Sequence, residues 1–236
     1  MVGLPGTARL WGIALFVFMS LAHACAIAAS VEVTVSMDGR PLSGAVVSLH
    51  PVNASPPVQP VTAEVDQRDF VFTPRVLVIP VGSSVEFPNR DAILHHVYSF
   101  SPAKPFELPL YSGRPSSPIV FGSPGVVVLG CNIHDTMIGY IVVLDTPYES
   151  VTGDGGRTTI QAPAGEYVMQ VWHEKQRHPG EPLRESLTLG STPASVEASV
   201  EAMVATPPPV ADDRLNHVQQ RFRALRAPAG DPGRTR

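Results

Sequence analysis

The stretch "VVVLGCNIHDTMIGYIVV", residues 126–143, combines strand-forming residues with three metal-binding side chain types. A thiol, an imidazole and a thioether stand at Cys131, His134 and Met137, between two apolar, β-branched runs. Runs rich in Val and Ile predict strands, so the three side chains occupy a short loop between two strands. A loop tied down at both ends is preorganised to hold ligands. The alternative is that these are ordinary core residues.

A second candidate motif, "NRDAILHHV" at residues 89–97, places His95 and His96 before another predicted strand. Adjacent residues of a strand face opposite sides, so only one of the two histidines joins a shared site. One thiolate, two imidazoles and a weak thioether are the donors of a blue-copper site. Structural zinc takes four Cys or His ligands, and iron–sulfur clusters need more cysteines. The donor set therefore predicts one copper ion.

The N-terminus has the pattern of a signal peptide over residues 1–28. Arg9 precedes an apolar stretch, residues 10–21, and the small-residue pattern "AIA" ends at Ala28. The stretch is short for a membrane span. We expect a periplasmic or secreted protein with no stable membrane span, and acylation at Cys25 is an alternative. Removal of Cys25 with the signal leaves Cys131 without a disulfide partner.

Composition narrows the classes of fold and function. The chain of 236 residues has 25 prolines, 19 glycines and a net charge of −4. Short β-branched runs between turn signals predict an all-β sandwich protein. The negative charge argues against nucleic-acid binding and favours a partner with a basic face. No Ser-His-Asp or paired-carboxylate pattern stands out, so we expect no enzyme activity.

Residues 63–145 resemble the cupredoxins, especially the amicyanin and plastocyanin group. The resemblance rests on the Cys-x-x-His-x-x-Met loop at residues 131–137 and on the Asn-Arg-x-Ala-x-x-His stretch at residues 89–95. It implies a type 1 copper site whose ligands are His95, Cys131, His134 and Met137. His96 replaces the family's Asn after the first ligand. Asn89, His96 and Asn132 are expected to support the ligands through hydrogen bonds.

The resemblance also implies a docking surface at the exposed edge of His134. Ile93, Leu94 and Ile133 are candidates for its apolar rim, with ordinary burial as the alternative. Asp135, next to His134, departs from the family pattern and suggests a different partner surface.

The flanks of the cupredoxin-like segment resemble a second family. The segments "VEVTVSMDGRPLSGAVVSL" (31–49) and "VTGDGGRTTIQAPAGEYVMQVW" (151–172) are similar to the two ends of a carboxypeptidase regulatory-like, or transthyretin-like, module. The combination resembles methylamine utilisation proteins. We expect a cupredoxin β-sandwich inserted into a small transthyretin-like β-sandwich, with one sandwich of all strands in tandem as the alternative. The predicted segments are a split regulatory-like domain at 31–54 and 147–200, a cupredoxin domain at 55–146, and a Pro-rich linker, short C-terminal helix and disordered tail at 201–236.

These observations predict an exported type 1 copper protein that carries single electrons between redox partners. A dehydrogenase or a c-type cytochrome is the expected donor or acceptor. The alternative is a periplasmic copper-binding or scaffold module without redox turnover.

Overall fold

The computed structural model describes residues 28–115 and 117–203. These residues contain β-strands and no helix, which confirms the predicted all-β class. None of them forms a helix long and apolar enough to cross a membrane. Residues 1–27 of the predicted signal peptide and the predicted C-terminal helix and tail lie outside the described residues. The strands are β1 (Ala28–Met37), β2 (Arg40–Pro41), β3 (Val46–Pro51), β4 (Thr62–Glu64), β5 (Asp66–Arg68), β6 (Val71–Thr73), β7 (Val76–Pro80), β8 (Ser84–Glu86), β9 (His95–Ser99), β10 (Phe106–Tyr111), β11 (Ile119–Val120), β12 (Gly125–Gly130), β13 (Ile138–Leu144), β14 (Glu149–Val151), β15 (Arg157–Pro163), β16 (Gly165–Trp172), β17 (Leu183–Leu189) and β18 (Ala194–Val200).

The first sandwich is built from the two ends of the described chain. One sheet has the order β15-β1-β18 with β2 beside β1, and the other has the order β14-β3-β16-β17. Alternate residues of "VEVTV" in β1 point inward, so Val31, Val33 and Val35 are fully buried. Val47 and Leu49 of β3 contribute to the same core from the other sheet. That this sandwich is transthyretin-like stays a prediction.

The second sandwich is built from strands β4 to β13. Its larger sheet has the order β10-β9-β12-β13-β7, and a smaller sheet has the order β11-β8-β4, with a separate β5–β6 pair. Its core is a distinct apolar cluster that includes Val97, Val127, Ile141 and Phe121. The chain therefore leaves the first sandwich after β3, builds the second, and returns at β14 to complete the first.

Strand β13 joins the two sandwiches because both of its faces are buried. Ile141 and Val143 belong to the core of the second sandwich. The opposite face, with Tyr140, packs against Trp172 of the first sandwich, and their ring centroids lie 5.3 Å apart. A strand covered on both faces needs a continuous apolar run rather than an alternating one, and "YIVVL" is such a run.

The contact between the sandwiches predicts a large effect of Trp172→Ala. Trp172 is 2% exposed, and its indole donates a hydrogen bond of 2.6 Å to the Pro179 carbonyl oxygen. Truncation should lower the free energy of unfolding by about 3–5 kcal/mol, because it removes a buried aromatic ring and leaves a cavity. Urea unfolding followed by circular dichroism measures the change. Val151→Ala, at an exposed position, is the control, and its free energy of unfolding should change by no more than about 0.5 kcal/mol. Equal effects of the two variants would show that the burial of Trp172 between the sandwiches does not stabilise the protein.

Candidate metal centre

Three side chains predicted to bind metal converge in the second sandwich. The ligand atoms of His95, Cys131 and His134 all lie within 4.8 Å of one another. The Sγ atom of Cys131 is 3.8 Å from Nδ1 of His95 and 3.9 Å from Nδ1 of His134. The two imidazole centroids are 5.1 Å apart. His95 and Cys131 are buried, and His134 is half-buried.

Strand pairing explains how residues far apart in sequence meet here. Gly130, the last residue of β12, pairs with Tyr98 of the antiparallel strand β9. This register brings the start of β9, where His95 stands, alongside the loop that follows β12. Because His95 is the first residue of an alternating buried pattern in β9, its side chain faces inward and that of His96 faces the other side.

The loop from Cys131 to Met137 closes in a tight turn. The Met137 amide donates a hydrogen bond of 2.9 Å to the His134 carbonyl oxygen, and β13 begins directly afterwards at Ile138. The Met137 side chain is 1% exposed and lies in the same apolar cluster as Cys131. Met137 is therefore buried on the inner side of the loop.

Asn89 fixes the segment that leads to His95. Its side-chain amide donates hydrogen bonds to the carbonyl oxygens of Ile93 and Tyr111, at 2.9 and 2.8 Å, and its side-chain oxygen accepts one of 3.0 Å from the Asp91 amide.

The Tyr111 hydroxyl donates a hydrogen bond to the Phe87 carbonyl oxygen. Burial raises the pKa of Tyr111 to about 12, so this hydroxyl keeps its proton at neutral pH.

Asp91 orients His95 through a hydrogen bond that the sequence does not predict. Its Oδ2 atom lies 2.7 Å from Nε2 of His95, so the carboxylate holds the Nε2 proton and leaves the Nδ1 lone pair facing Cys131. The backbone amides of Asp69 and Phe70 donate to the same carboxylate. Burial opposes ionisation, but the hydrogen bonds from His95 and these amides outweigh it and lower the pKa of Asp91. The only signal in the sequence is an acidic residue four positions before His95.

Phe70 packs against both imidazoles, and no pattern in the sequence indicates this. Its ring centroid is 4.9 Å from that of His134 and 6.0 Å from that of His95, both in edge-on geometry. Asp69 and Phe70 have φ angles of 54° and 63°, in the left-handed region that non-glycine residues rarely adopt. Because both amides are bound to Asp91, the carboxylate that orients His95 also holds this turn and its ring beside the cluster.

The other two residues expected to support the ligands have different surroundings. His96 forms a hydrogen bond of 2.8 Å through Nε2 to Glu107 of the neighbouring strand β10, and its ring lies 5.5 Å from that of Tyr98. Its Nδ1 atom is buried and has no hydrogen-bond partner among the described residues. Asn132 is exposed at the start of the loop. His96 therefore contacts β10 rather than the Cys131 loop.

The residues predicted to form a docking surface are exposed. The exposed fractions of Ile93, Leu94 and Ile133 are 40%, 48% and 46%, and Asp135 is also exposed. The alternative of ordinary burial does not hold for the three apolar side chains. Three exposed, branched apolar residues thus flank the loops that carry the histidines.

Comparisons with known proteins identify solved cupredoxin structures similar to part of the chain. A Cu-containing nitrite reductase from Thermus scotoductus SA-01 is 31% identical, over 40% of this chain and 25% of that chain, with a TM-score of 0.34. A purple cupredoxin from Nitrosopumilus maritimus is 24% identical, over 35% of this chain and 99% of that chain, with a TM-score of 0.32. An amicyanin variant in the Cu(I) state is 21% identical, over 35% of this chain and 82% of that chain, with a TM-score of 0.32.

These likenesses cover a minority of the chain, and the match spans about a quarter of the nitrite reductase. No protein-family model matches the chain, and no curated protein matches it. All three TM-scores are below 0.5.

The packing at Gly130 predicts that Gly130→Ala destabilises the protein. A Cβ atom at this position would lie 2.7 Å from Cζ and 2.8 Å from the hydroxyl oxygen of Tyr98. The clash should lower the free energy of unfolding by about 1–3 kcal/mol. The control is Gly122→Ala, where a Cβ would meet nothing within 4 Å.

Chemical denaturation of the metal-free protein measures both variants. Adding Tyr98→Ala should cancel most of the Gly130→Ala penalty, as a double-mutant cycle would show. An additive double variant would mean that Tyr98 is not the source of the strain.

The contacts of Asp91 predict that Asp91→Asn destabilises the metal-free protein. The substitution removes the charge from an acceptor that serves His95 and two backbone amides. Because hydrogen bonds to charged groups contribute about 1.5–3 kcal/mol, we expect a loss of that order in the free energy of unfolding. Asp135→Asn, on the exposed part of the loop, is the matched control and should have little effect. Similar losses of unfolding free energy in both variants would show that the hydrogen bonds of Asp91 do not stabilise the protein.

Proposed function

We propose that this protein is an exported type 1 copper protein that carries single electrons between redox partners. The observation that supports the proposal is the convergence of one thiol sulfur and two imidazole Nδ1 atoms at His95, Cys131 and His134. Met137, buried in the same loop, supplies the thioether that completes the donor set of such a site.

The distances between the donor atoms fit a single metal ion. With metal–nitrogen bonds of about 2.0–2.1 Å and a metal–sulfur bond of about 2.3 Å, donors at trigonal angles lie about 3.8 Å apart. The two sulfur–nitrogen distances are 3.8 and 3.9 Å. Both sulfur–nitrogen distances therefore match a thiolate and an imidazole that share one metal ion.

The donor types favour copper over zinc. A thiolate, two imidazoles and a buried thioether form the ligand set typical of blue copper, whereas structural zinc sites use four Cys or His ligands. When bound, copper supplies one-electron chemistry by cycling between Cu(I) and Cu(II). Within residues 28–115 and 117–203, Cys131 is a free, buried cysteine whose sulfur forms no disulfide.

The protein's own contribution is to keep the donor atoms in place. His95 is held by Asp91, and the loop of Cys131, His134 and Met137 is tied to strands β12 and β13 at its two ends. Because β13 is buried on both faces, the C-terminal end of the loop is anchored between two sandwiches. A framework that holds the same positions in both oxidation states favours rapid electron exchange.

The partner is proposed to dock where His134 reaches solvent. His134 is half-buried, whereas His95 and Cys131 are buried, so His134 brings the centre closest to the surface. Exposed Ile93, Leu94 and Ile133 supply an apolar contact, and Asp135 adds a negative charge beside it. The net charge of −4 suits a redox protein with a basic face, such as a dehydrogenase or a c-type cytochrome. We propose a periplasmic or secreted location and no catalytic turnover at this centre.

Titration of the metal-free protein with Cu(II), followed by visible absorption, tests the proposal. We expect one equivalent of copper to produce an intense thiolate-to-copper charge-transfer band that ascorbate bleaches and oxidant restores. Cys131→Ser should abolish the band. Tight copper binding without this reversible colour would instead indicate a storage or scaffold role.

The adjacent histidines provide a matched pair of controls. His95→Ala should abolish the band, because its Nδ1 atom faces Cys131. His96→Asn should retain it, because His96 faces Glu107 on the other side of the strand. Loss of the band in both variants, or retention in both, would contradict the assignment of His95 as the ligand.

A further inference from the structure

A cavity of about 290 Å³ lies between the two sandwiches, on the face of β13 that points away from the core of the second sandwich. Val142 and Leu144 of β13 line one side, and Trp172 of β16 lines the other. Ser48, His50 and Asp145 are polar residues that line the same cavity. A concave, mostly apolar site with a few convergent polar groups is the usual form of a small-molecule site.

The polar groups form a continuous hydrogen-bonded relay. The Ser48 hydroxyl lies 2.9 Å from Nε2 of His50, and Nδ1 of His50 lies 2.8 Å from Oδ1 of Asp145. This is the order of atoms in a serine–histidine–carboxylate triad, with the hydroxyl on Nε2 and the carboxylate on Nδ1. The relay therefore pairs a nucleophile with a base, and the base with a group that orients it.

Strand geometry accounts for the arrangement. Val47 and Leu49 of β3 point into the core of the first sandwich, so Ser48 and His50, which alternate with them, face the cavity. Asp145 follows the last residue of β13 and comes from the second sandwich. The relay is complete only because the two sandwiches are packed together.

The electrostatics keep His50 able to accept a proton. Burial lowers the pKa of His50, the nearby Arg184 lowers it further, and Asp145 opposes both without reversing the direction. A neutral imidazole at pH 7 is the form that acts as a base. Ser48 is 2% exposed and opens onto the cavity, while Asp145 at the far end of the relay is exposed.

Arg184 and Gln170 provide polar groups for a substrate. Both line the same cavity, and Gln170 stands opposite Ser48 in the pairing of β16 with β3. Arg184 forms no salt bridge with another residue in the described part of the chain. An unpaired guanidinium and a carboxamide are donors that can bind the carbonyl oxygen or a carboxylate of a small acyl compound.

We propose that Ser48, His50 and Asp145 form a nucleophilic serine site that cleaves small carboxylic esters. Ser48 Oγ forms a bond to the acyl carbon, and His50 Nε2 takes the hydroxyl proton and delivers it to the departing alcohol oxygen as the ester C–O bond breaks. Water then adds to the acyl carbon with His50 as base, the acid leaves, and Ser48 regains its proton. Asp145 is a positioning residue that holds the His50 ring. The size of the cavity restricts the substrate to a small acyl group.

Labelling of the full-length protein with diisopropyl fluorophosphate tests the proposal directly. We expect one diisopropylphosphoryl group on Ser48, with release of fluoride, located by mass spectrometry of peptides. His50→Gln should slow the labelling by at least about 100-fold, the usual contribution of a general base. The control is Ser150→Ala on the adjacent strand β14, which should leave the labelling rate unchanged. The Ser150 hydroxyl oxygen accepts a hydrogen bond from the Thr158 hydroxyl and takes no part in the relay.

Hydrolysis of p-nitrophenyl acetate gives the second measurement. Wild type and Ser150→Ala should turn over at equal rates, and Ser48→Ala should lose the activity while retaining the wild-type circular dichroism spectrum. Absence of a Ser48 adduct in the wild-type protein would overturn the proposal without any variant. An adduct that forms as fast in His50→Gln, or that forms only on another residue, would overturn it as well.

Discussion

Both sandwiches rely on strand β13, which is buried on both faces. One face completes the core of the second sandwich, and the other packs Tyr140 against Trp172 of the first. The loop with Cys131, His134 and Met137 ends where this strand begins, and Asp145 follows where it ends. The same strand therefore anchors the loop of candidate metal ligands at one end and positions Asp145, which hydrogen-bonds His50, at the other.

Around the candidate metal centre, Asp91 holds together segments that are distant in the sequence. Its carboxylate accepts hydrogen bonds from His95 Nε2 and from the backbone amides of Asp69 and Phe70. It therefore sets the orientation of the His95 imidazole and the position of the Phe70 ring beside both imidazoles. This coupling links ligand geometry to the β5–β6 turn, which sequence spacing does not connect to the site.

The sequence predicts the local part of this structure well and the long-range part poorly. The loop of Cys131, His134 and Met137 can be predicted because its residue spacing and its flanking strands lie within one short segment. The all-β class can be predicted from the repeated β-branched runs. The contact of Phe70 with the two imidazoles cannot be predicted, because it depends on a turn that the Asp91 carboxylate holds. The sequence does not indicate the contact of Ser48 and His50 with Asp145 for the same reason: His50 and Asp145 are 95 residues apart and meet only when the sandwiches pack.

In the proposed site, copper binds to His95 Nδ1, Cys131 Sγ and His134 Nδ1. A crystal structure of the copper-loaded protein, with anomalous scattering recorded at the copper edge, measures the position of the metal directly. We expect one strong anomalous peak within bonding distance of these three atoms and close to the Met137 side chain. A fully occupied copper elsewhere, with the three atoms left unbound, would contradict it.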